Sequence, residues 1–331
     1  MEKFLSVIIP MYNSADHINK TLESLNNEND TDFEIILVDD GSTDDSIVVA
    51  ENYLNTMKVG YKILKEQHKG QSHARNKGIE NAKGKYILFL DSDDFINGNL
   101  VEVIKKNILE DTEILVYDYL RVDKNYVILE NKEQKFDYKE GYHFGIDIFN
   151  AYKNNELRLW TGALIYNKEF ILKNNLKFLE GAYAAEDLNF IFKALFKSNN
   201  VKVIKDVLVY YYQRKDSLTN KPDILKNITV IDSFEDVVKY IRNNSLSIDL
   251  ANSIEKEFIP EHIMYQICGA LTTDTKSEVK EAIKKSKARQ YLKTMNKEST
   301  RYGKSVYTWA KMASMMPGMF MNIYINKTGK K

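Results

Sequence analysis

The 331-residue chain has one cysteine, four prolines and no apolar run near the roughly 20 residues a membrane-spanning helix needs. Cys268 has no second thiol with which to close a disulfide, which points to a reducing compartment such as a bacterial cytoplasm. A lone cysteine of this kind reads as a small buried apolar residue rather than a reactive thiol. Neither sign of charge is in excess: 47 basic residues offset 47 acidic ones, so no global field recruits nucleic acid or anionic lipid. No polynucleotide partner is expected. Met1-Glu2-Lys3 runs into Phe4-Leu5-Ser6-Val7-Ile8-Ile9, too short an apolar stretch for a signal peptide, so no cleaved leader is predicted. A glycine-rich loop is also missing after that stretch. Pro10-Met11-Tyr12-Asn13 stands there, which excludes a G-x-G-x-x-G dinucleotide site.

What is present is an alternation of strands and helices. Residues 5–9 read as a buried strand ended by Pro10, with Asn13 or Ser14 capping a helix that carries Ile18, Leu22 and Leu25. Residues 34–38 form a second strand closing in Asp39-Asp40. Gly41-Ser42-Thr43-Asp44 then opens a helix with Ile47, Val48 and Tyr53 on one side. A strand at 61–64, a helix through Ala74, Ile79 and Ala82 closed by Gly84, and a strand at 86–90 follow. Continuous apolar strands between helices predict an α/β fold, a mostly parallel sheet covered on both faces. Such sheets hold ligands at the carboxyl ends of their strands. Residues 10–13, 39–40 and 91–94 therefore share one rim.

Past residue 100 the pattern is mixed. Strands are predicted at 113–120, 126–129, 159–166 and 207–212, a charged loop at 130–140 and a helix at 186–196. From 223 onward the texture is helical. The expected boundary lies near 220, giving one domain over 1–220 and a helical region over 221–331.

The densest chemistry is Ile87-Leu88-Phe89-Leu90-Asp91-Ser92-Asp93-Asp94, a strand that runs into three carboxylates. Like charges this close disfavour ionisation unless a cation joins them, and carboxylate oxygens suit Mg²⁺ or Mn²⁺. A calcium loop starting at Asp91 needs Asp or Asn at its fifth position and Gly at its sixth, where Phe95 and Ile96 stand. A helix start favoured by the dipole explains Asp93 or Asp94 but not the set, and Asp94 reads as a cap for the next helix.

Ser6-Val7-Ile8-Ile9-Pro10-Met11-Tyr12-Asn13, Val38-Asp39-Asp40-Gly41-Ser42-Thr43-Asp44, Ala74-Arg75-Asn76-Lys77-Gly78 and Asp91-Ser92-Asp93-Asp94 occur in this order. Together they resemble the family-2 inverting glycosyltransferases of GT-A (Rossmann-like) fold, over residues 4–215. The resemblance implies transfer of a sugar from a nucleoside diphosphate donor, most often UDP-linked, to an acceptor hydroxyl, with Mn²⁺ or Mg²⁺ as cofactor. It implies that Asp39 or Asp40 accepts from the uracil imide, the family favouring the second acid. Pro10 and Tyr12 offer a wall for the base, and Arg75 a fixed charge for base or diphosphate. The plainer reading of Arg75 is a surface arginine on a helix. Asp93 matches the metal ligand and Asp91 the acid that touches the ribose or a metal-bound water. Ser92, between them, joins the donor contacts.

Ala185-Glu186-Asp187-Leu188-Asn189-Phe190 matches the family's Glu-Asp pair, with Asp187 as catalytic base and Glu186 its neighbour. Without the upstream motifs the pair is a helix start that suits the macrodipole. Tyr210-Tyr211-Tyr212-Gln213-Arg214-Lys215 resembles the segment after the base, where Arg214 or Lys215 can close over the diphosphate. A solvent-facing basic loop is the alternative. Processive synthases of the family carry Gln-x-x-Arg-Trp there. No Trp follows here, which favours one sugar per encounter. Trp160 stands where relatives shape the acceptor pocket, although a tryptophan is as readily core. His68 and His73 lack a third ligand at metal spacing. A sugar-nucleotide pyrophosphorylase wants the glycine-rich loop that is missing. An inactive scaffold or glycan-binding subunit is the non-enzyme alternative, opposed by the intact acids.

Residues 301–331 contain no acid, while Lys304, Lys311, Lys327, Lys330 and Lys331 accompany Val306, Trp309, Met312, Ala313, Met316, Phe320 and Ile323. Pro317-Gly318 breaks the segment. Such a stripe can lie in a membrane interface, or pack on the catalytic domain or on a second copy of the chain. The family's bacterial acceptors, lipid-linked glycans or glycoproteins, favour a cytoplasmic enzyme peripheral to the inner face of the membrane.

Overall fold

The computed structural model describes residues 3–123, 125, 127–129, 136–213, 223–297 and 304–329. Near-continuous apolar sequence makes β1 (Leu5–Met11) a strand with every residue buried. After it come α1 (Ile18–Asn26), β2 (Phe33–Asp39), α2 (Ser46–Leu54), β3 (Gly60–Lys65), α3 (Gln71–Asn81) and β4 (Tyr86–Phe89). Next are β5 (Phe95–Ile96), α4 (Leu100–Asn107), β6 (Ile114–Val122), β7 (Gly141–His143) and α5 (Gly145–Lys153). A short turn of helix, Thr161–Ala163, leads into β8 (Leu164–Asn167), α6 (Lys168–Lys173), α7 (Glu186–Lys197) and β9 (Val201–Tyr212).

The nine strands among the described residues form one sheet in the order β3-β2-β1-β4-β8-β6-β9-β5, with β7 on β9. This is the mixed α/β sheet, mostly parallel, that the sequence predicts. β2, β1 and β4 are mutually parallel neighbours, with Met11 opposite Asp39 and Ile8 opposite Phe89, so their carboxyl ends open on one edge. β8 runs antiparallel to β4 and β6.

Several local expectations are corrected. Pro10 does not end β1; it pairs opposite Val38 inside it. Its missing N–H points toward β4, where the ladder has already stopped at Ile8, so no hydrogen bond is lost. Neither Asn13 nor Ser14 caps α1, which starts at Ile18. Asn13 adopts a left-handed φ of 46° and accepts from Thr43 N at 2.8 Å, tying the first rim loop to the second. Val48 is 56% exposed, because α2 buries Ser46, Ala50 and Leu54 instead. Trp160 precedes the helical turn and is not in a strand. Cys268 is half-buried.

The chain forms two compact units, one of Met1–Gly181 with Phe190–Arg214 and one of Ala182–Asn189 with Lys215–Lys331. In the second unit α8 (Ile224–Asn227), α9 (Val230–Asn243) and α10 (Ile248–Ser253) lead through a wide turn, Ile254–Phe258, into α11 (Ile259–Ala270). α12 (Lys276–Lys285), α13 (Ala288–Thr294), α14 (Lys304–Met315) and α15 (Pro317–Thr328) complete it. Its core includes Phe234, Phe258, Ile263 and Ile267, all buried. Pro317 begins α15, as a proline that needs no intrahelical donor can. The tail's apolar stripe is divided. Ala310, Ala313, Phe320 and Met321 are buried within this unit, and Trp309 packs edge-on to Phe320 at 5.7 Å. Met315, Met316, Met319 and Ile323 stay exposed.

Candidate active site

The rim of the first unit is assembled from three loops and the start of α3. Gly41 turns the chain after β2 with φ 76°, and a Cβ there would lie 2.9 Å from His68 N, so glycine is required. Asp39 and Asp40 are both buried. Asp39 accepts from Ser42 N, at 3.2 Å to its nearer oxygen. Asp40 receives Lys69 N at 2.8 Å and Gly70 N at 2.9 Å, and His68 Nδ1 lies 2.9 Å from its Oδ2. Asp40 Oδ1 and the Asp39 oxygens each keep a further lone-pair direction, so either acid can accept from a ligand as well. Pro10 is buried in β1. Tyr12 is 43% exposed, its ring stacked on His68 with centroids 4.1 Å apart.

α3 aims two side chains at one oxygen. Gln71 Nε2 and Arg75 Nη2 each donate to Asp91 Oδ1 at 2.8 Å, four residues apart and so on one helix face. Arg75 is 2% exposed, with its guanidinium 5.1 Å from the centre of the Phe178 ring. It is not a surface arginine. Ser92 Oγ pairs with Ser14 Oγ at 2.7 Å, and its carbonyl accepts from Thr21 Oγ1 at 3.0 Å. Asp93 is half-buried. Asp94 is 1% exposed and takes Tyr212 N at 2.7 Å, which ties the acid loop to β9. It precedes β5 and caps no helix, which corrects the sequence expectation; α4 starts only at Leu100, after Asn99.

Beside these acids sits an aromatic cluster. Trp160 lies between Tyr119, at 5.0 Å, and Tyr211, edge-on at 5.2 Å. Burial pushes the Tyr211 hydroxyl up to about 12, helped by the charges of Asp94, Asp93 and Asp91. Asp94, Asp93 and Asp91 thus act on Tyr211 as nearby negative charges, and Arg121 opposes them.

In the second unit, Glu186 and Asp187 open α7 and both are half-buried. Ala185 before them holds a left-handed φ of 57°, an unfavourable conformation for a residue with a Cβ. The surrounding bonds fix it. Ser233 of α9 donates Oγ to Ala184 O at 2.7 Å, and its own carbonyl accepts from Asn189 Nδ2 at 2.7 Å. Tyr183 N also donates to Thr229 Oγ1 at 3.1 Å. Ser233 thus holds the backbone before the acid pair and the Asn189 side chain after it.

The structure brings Pro10, Tyr12, Asp39, Asp40, Arg75, Asp91, Ser92, Asp93 and Trp160 into the first unit and Glu186 and Asp187 into the second. Arg214 lies outside the described residues. The sequence reading gave no role to Gln71, Tyr211 or the Ser233 grip. The spacing of Gln71 from Arg75 was a usable signal; the reach from α9 to residue 184 was not.

The sequence profile described as Glycosyl transferase family 2 matches residues 6–173, half of the chain. The chain belongs to glycosyl transferase family 2. An uncharacterized glycosyltransferase of Escherichia coli, YibD, is 30% identical over 65% of this chain and 63% of its own length. The poly(ribitol-phosphate) beta-N-acetylglucosaminyltransferase TarS of Staphylococcus aureus is 25% identical over 84% of this chain and 47% of its own. The chain thus spans less than two-thirds of these relatives' lengths. A crystal structure of TarS in complex with UDP-GlcNAc superposes with a TM-score of 0.70 at 21% identity, covering 99% of this chain and 92% of that one. That likeness carries the fold: the sheet is of GT-A type, followed by a helical C-terminal part.

Proposed function

We propose that the chain transfers a single sugar, with inversion, from a UDP-sugar to an acceptor hydroxyl in a bacterial cell-surface glycan or glycoprotein. The observation that carries the reading is the rim of the family-2 sheet, where the oriented Asp91 and the half-buried Asp93 share one negative site. UDP as the leaving group is supported by the relative of the same fold that binds UDP-GlcNAc. Asp40, buried and already polarised by two backbone donors, is the acceptor for the base imide, with the exposed Tyr12 ring as the surface for the base.

Among the described residues no three His, Cys, Asp or Glu side chains are arranged to hold a metal ion. Mg²⁺ and Mn²⁺ sites of nucleotide enzymes use one or two protein carboxylates and complete themselves with phosphate oxygens. The hard oxygens of Asp93 and Asp91 fit that donor set. When bound, the ion would stabilise charge on the departing diphosphate. Arg75 and Gln71 fix Asp91 in orientation. Asp187, on a segment held by α9, takes the acceptor's proton, with Glu186 shaping its field. Trp160 lends an aromatic face to the acceptor, and Arg214 is retained as a diphosphate contact.

No helix among the described residues is long and apolar enough to cross a membrane. A cytoplasmic enzyme meeting a lipid-linked acceptor is the setting we favour, with the exposed methionines of the tail as its membrane-side surface. UDP release from a panel of UDP-sugars, with and without Mn²⁺, tests the activity. Release from no donor, together with metal-independent UDP binding, would leave the scaffold reading.

A further inference from the structure

Two arginines flank the aromatic cluster, and their surroundings differ. Arg158 is 7% exposed, ion-paired with Asp118, and donates to Tyr119 O at 2.6 Å. Arg121 on β6 is the register partner of Tyr211 on β9, and its guanidinium lies 5.8 Å from the centre of that ring. Its Nε is buried, and its side chain makes no hydrogen bond or ion pair among the described residues. Arg121 as a whole is half-buried, and a guanidinium stays charged at any working pH, so this one is a donor fork without an anion among those residues. The balancing charge is indirect. Tyr212, the next residue of β9, donates its N–H to Asp94 at 2.7 Å, so Arg121 stands opposite the strand end that holds the acid loop.

We propose that Arg121 holds a phosphate oxygen of a substrate beside the acid cluster, in a subsite walled by the rings of Tyr211 and Trp160. The fork of donors on a guanidinium matches phosphate geometry. The inference rests on the glycosyltransferase reading of the same rim. The phosphate is either the donor's diphosphate or a phosphate carried by the acceptor. A divalent cation on the acids would cancel the charge that now offsets Arg121. Phosphate binding and metal binding should therefore reinforce each other.

Titration calorimetry of the full chain with UDP and with glycerol 3-phosphate, each with and without Mn²⁺, tests this on wild type, Arg121→Gln and Arg121→Lys. The glutamine variant is expected to weaken at least one probe tenfold or more, most strongly with Mn²⁺ present. The lysine variant, which keeps the charge but loses the fork, should fall between. Loss confined to UDP assigns the donor diphosphate, and loss confined to glycerol 3-phosphate assigns an acceptor phosphate. Should the glutamine variant melt early, the lysine variant decides alone. Variants that match wild type within twofold for both probes overturn the inference. A wild type without metal-dependent UDP binding overturns the glycosyltransferase reading instead.

Discussion

The two acidic clusters, residues 91–94 and the pair Glu186 and Asp187, are held by partners at different distances along the chain. In the first, the carboxylates themselves are held: Asp91 by Arg75 and Gln71, Asp94 by the backbone of β9. In the second, Asp187 accepts from the adjacent Leu188 N at 2.7 Å, and the chain around the pair is held as well. Ser233 grips residues 184 and 189, and a left-handed Ala185 sets how the acids leave the helix start. A sheet rim can present several acids and differentiate them by partner. A helix start offers its acids free backbone N–H groups, as Leu188 N serves Asp187, and depends also on how the chain before it is fixed.

The sharpest test of this contrast is Asp93→Ala. If Asp93 is the rim's metal ligand, removing it should abolish Mn²⁺-dependent UDP binding and cost several kcal/mol of transition-state stabilisation, about a thousandfold or more in rate. Persistent metal-dependent UDP binding would move the ligand role to another acid. Asp187→Asn comes next. It should lower turnover by about 10²- to 10⁴-fold, the range of general-base catalysis, while UDP affinity stays as in wild type. Normal turnover in that variant would remove Asp187 from the mechanism.

How far these roles were readable in the sequence depends on how local their causes are. The strand ends carrying Asp39, Asp40 and Asp91 follow from apolar runs and the parallel-sheet rule, and the structure puts them on one edge. Asp94 was misread because its partner, Tyr212 N, is 118 residues away, and the two-residue β5 that connects them has no periodicity to detect. Pro10 was misread as a terminator because the sequence does not say where the β1–β4 ladder ends. For Arg75 the sequence left a surface arginine open beside the ligand contact, for a similar reason. Its burial comes from Phe178, a contact across distant sequence.

Asp94→Ala sharpens the comparison from the structural side. It leaves the partly buried Tyr212 N–H without its acceptor, a loss of about 1–3 kcal/mol. A lowered melting temperature with unchanged UDP affinity in Mn²⁺ is the expected pair of results, and a selective loss of metal response would make Asp94 a ligand after all. Ser233→Ala asks the matching question of the second cluster. It deletes the hydroxyl bond to Ala184 O and keeps the carbonyl that receives Asn189. The stability cost should be about 1 kcal/mol. If the grip positions Asp187, kcat falls about tenfold with the KM for donor unchanged, since a misplaced base costs rate rather than donor affinity. A fall in stability with kcat intact would reduce Ser233 to a structural role.

The smallest expected effect concerns Glu180, at the edge of the first unit. Asn76 Nδ2 donates to its Oε1 at 3.1 Å, and His73 Nδ1 lies 3.1 Å from its Oε2. The Asn76 bond holds its carboxyl below the ordinary value of 4.5, against some opposition from burial and with help from His73. A depressed carboxyl stabilises the fold above that ordinary value and loses its contribution as pH falls through the lower folded one. The group is half exposed, so solvent screens it and the contribution is small. Glu180→Gln mimics the protonated acid. At neutral pH it should melt slightly below wild type, and the gap should close as pH drops below 4.5. A gap of the same size at both pH values would mean that Glu180 acts through packing and not through its charge.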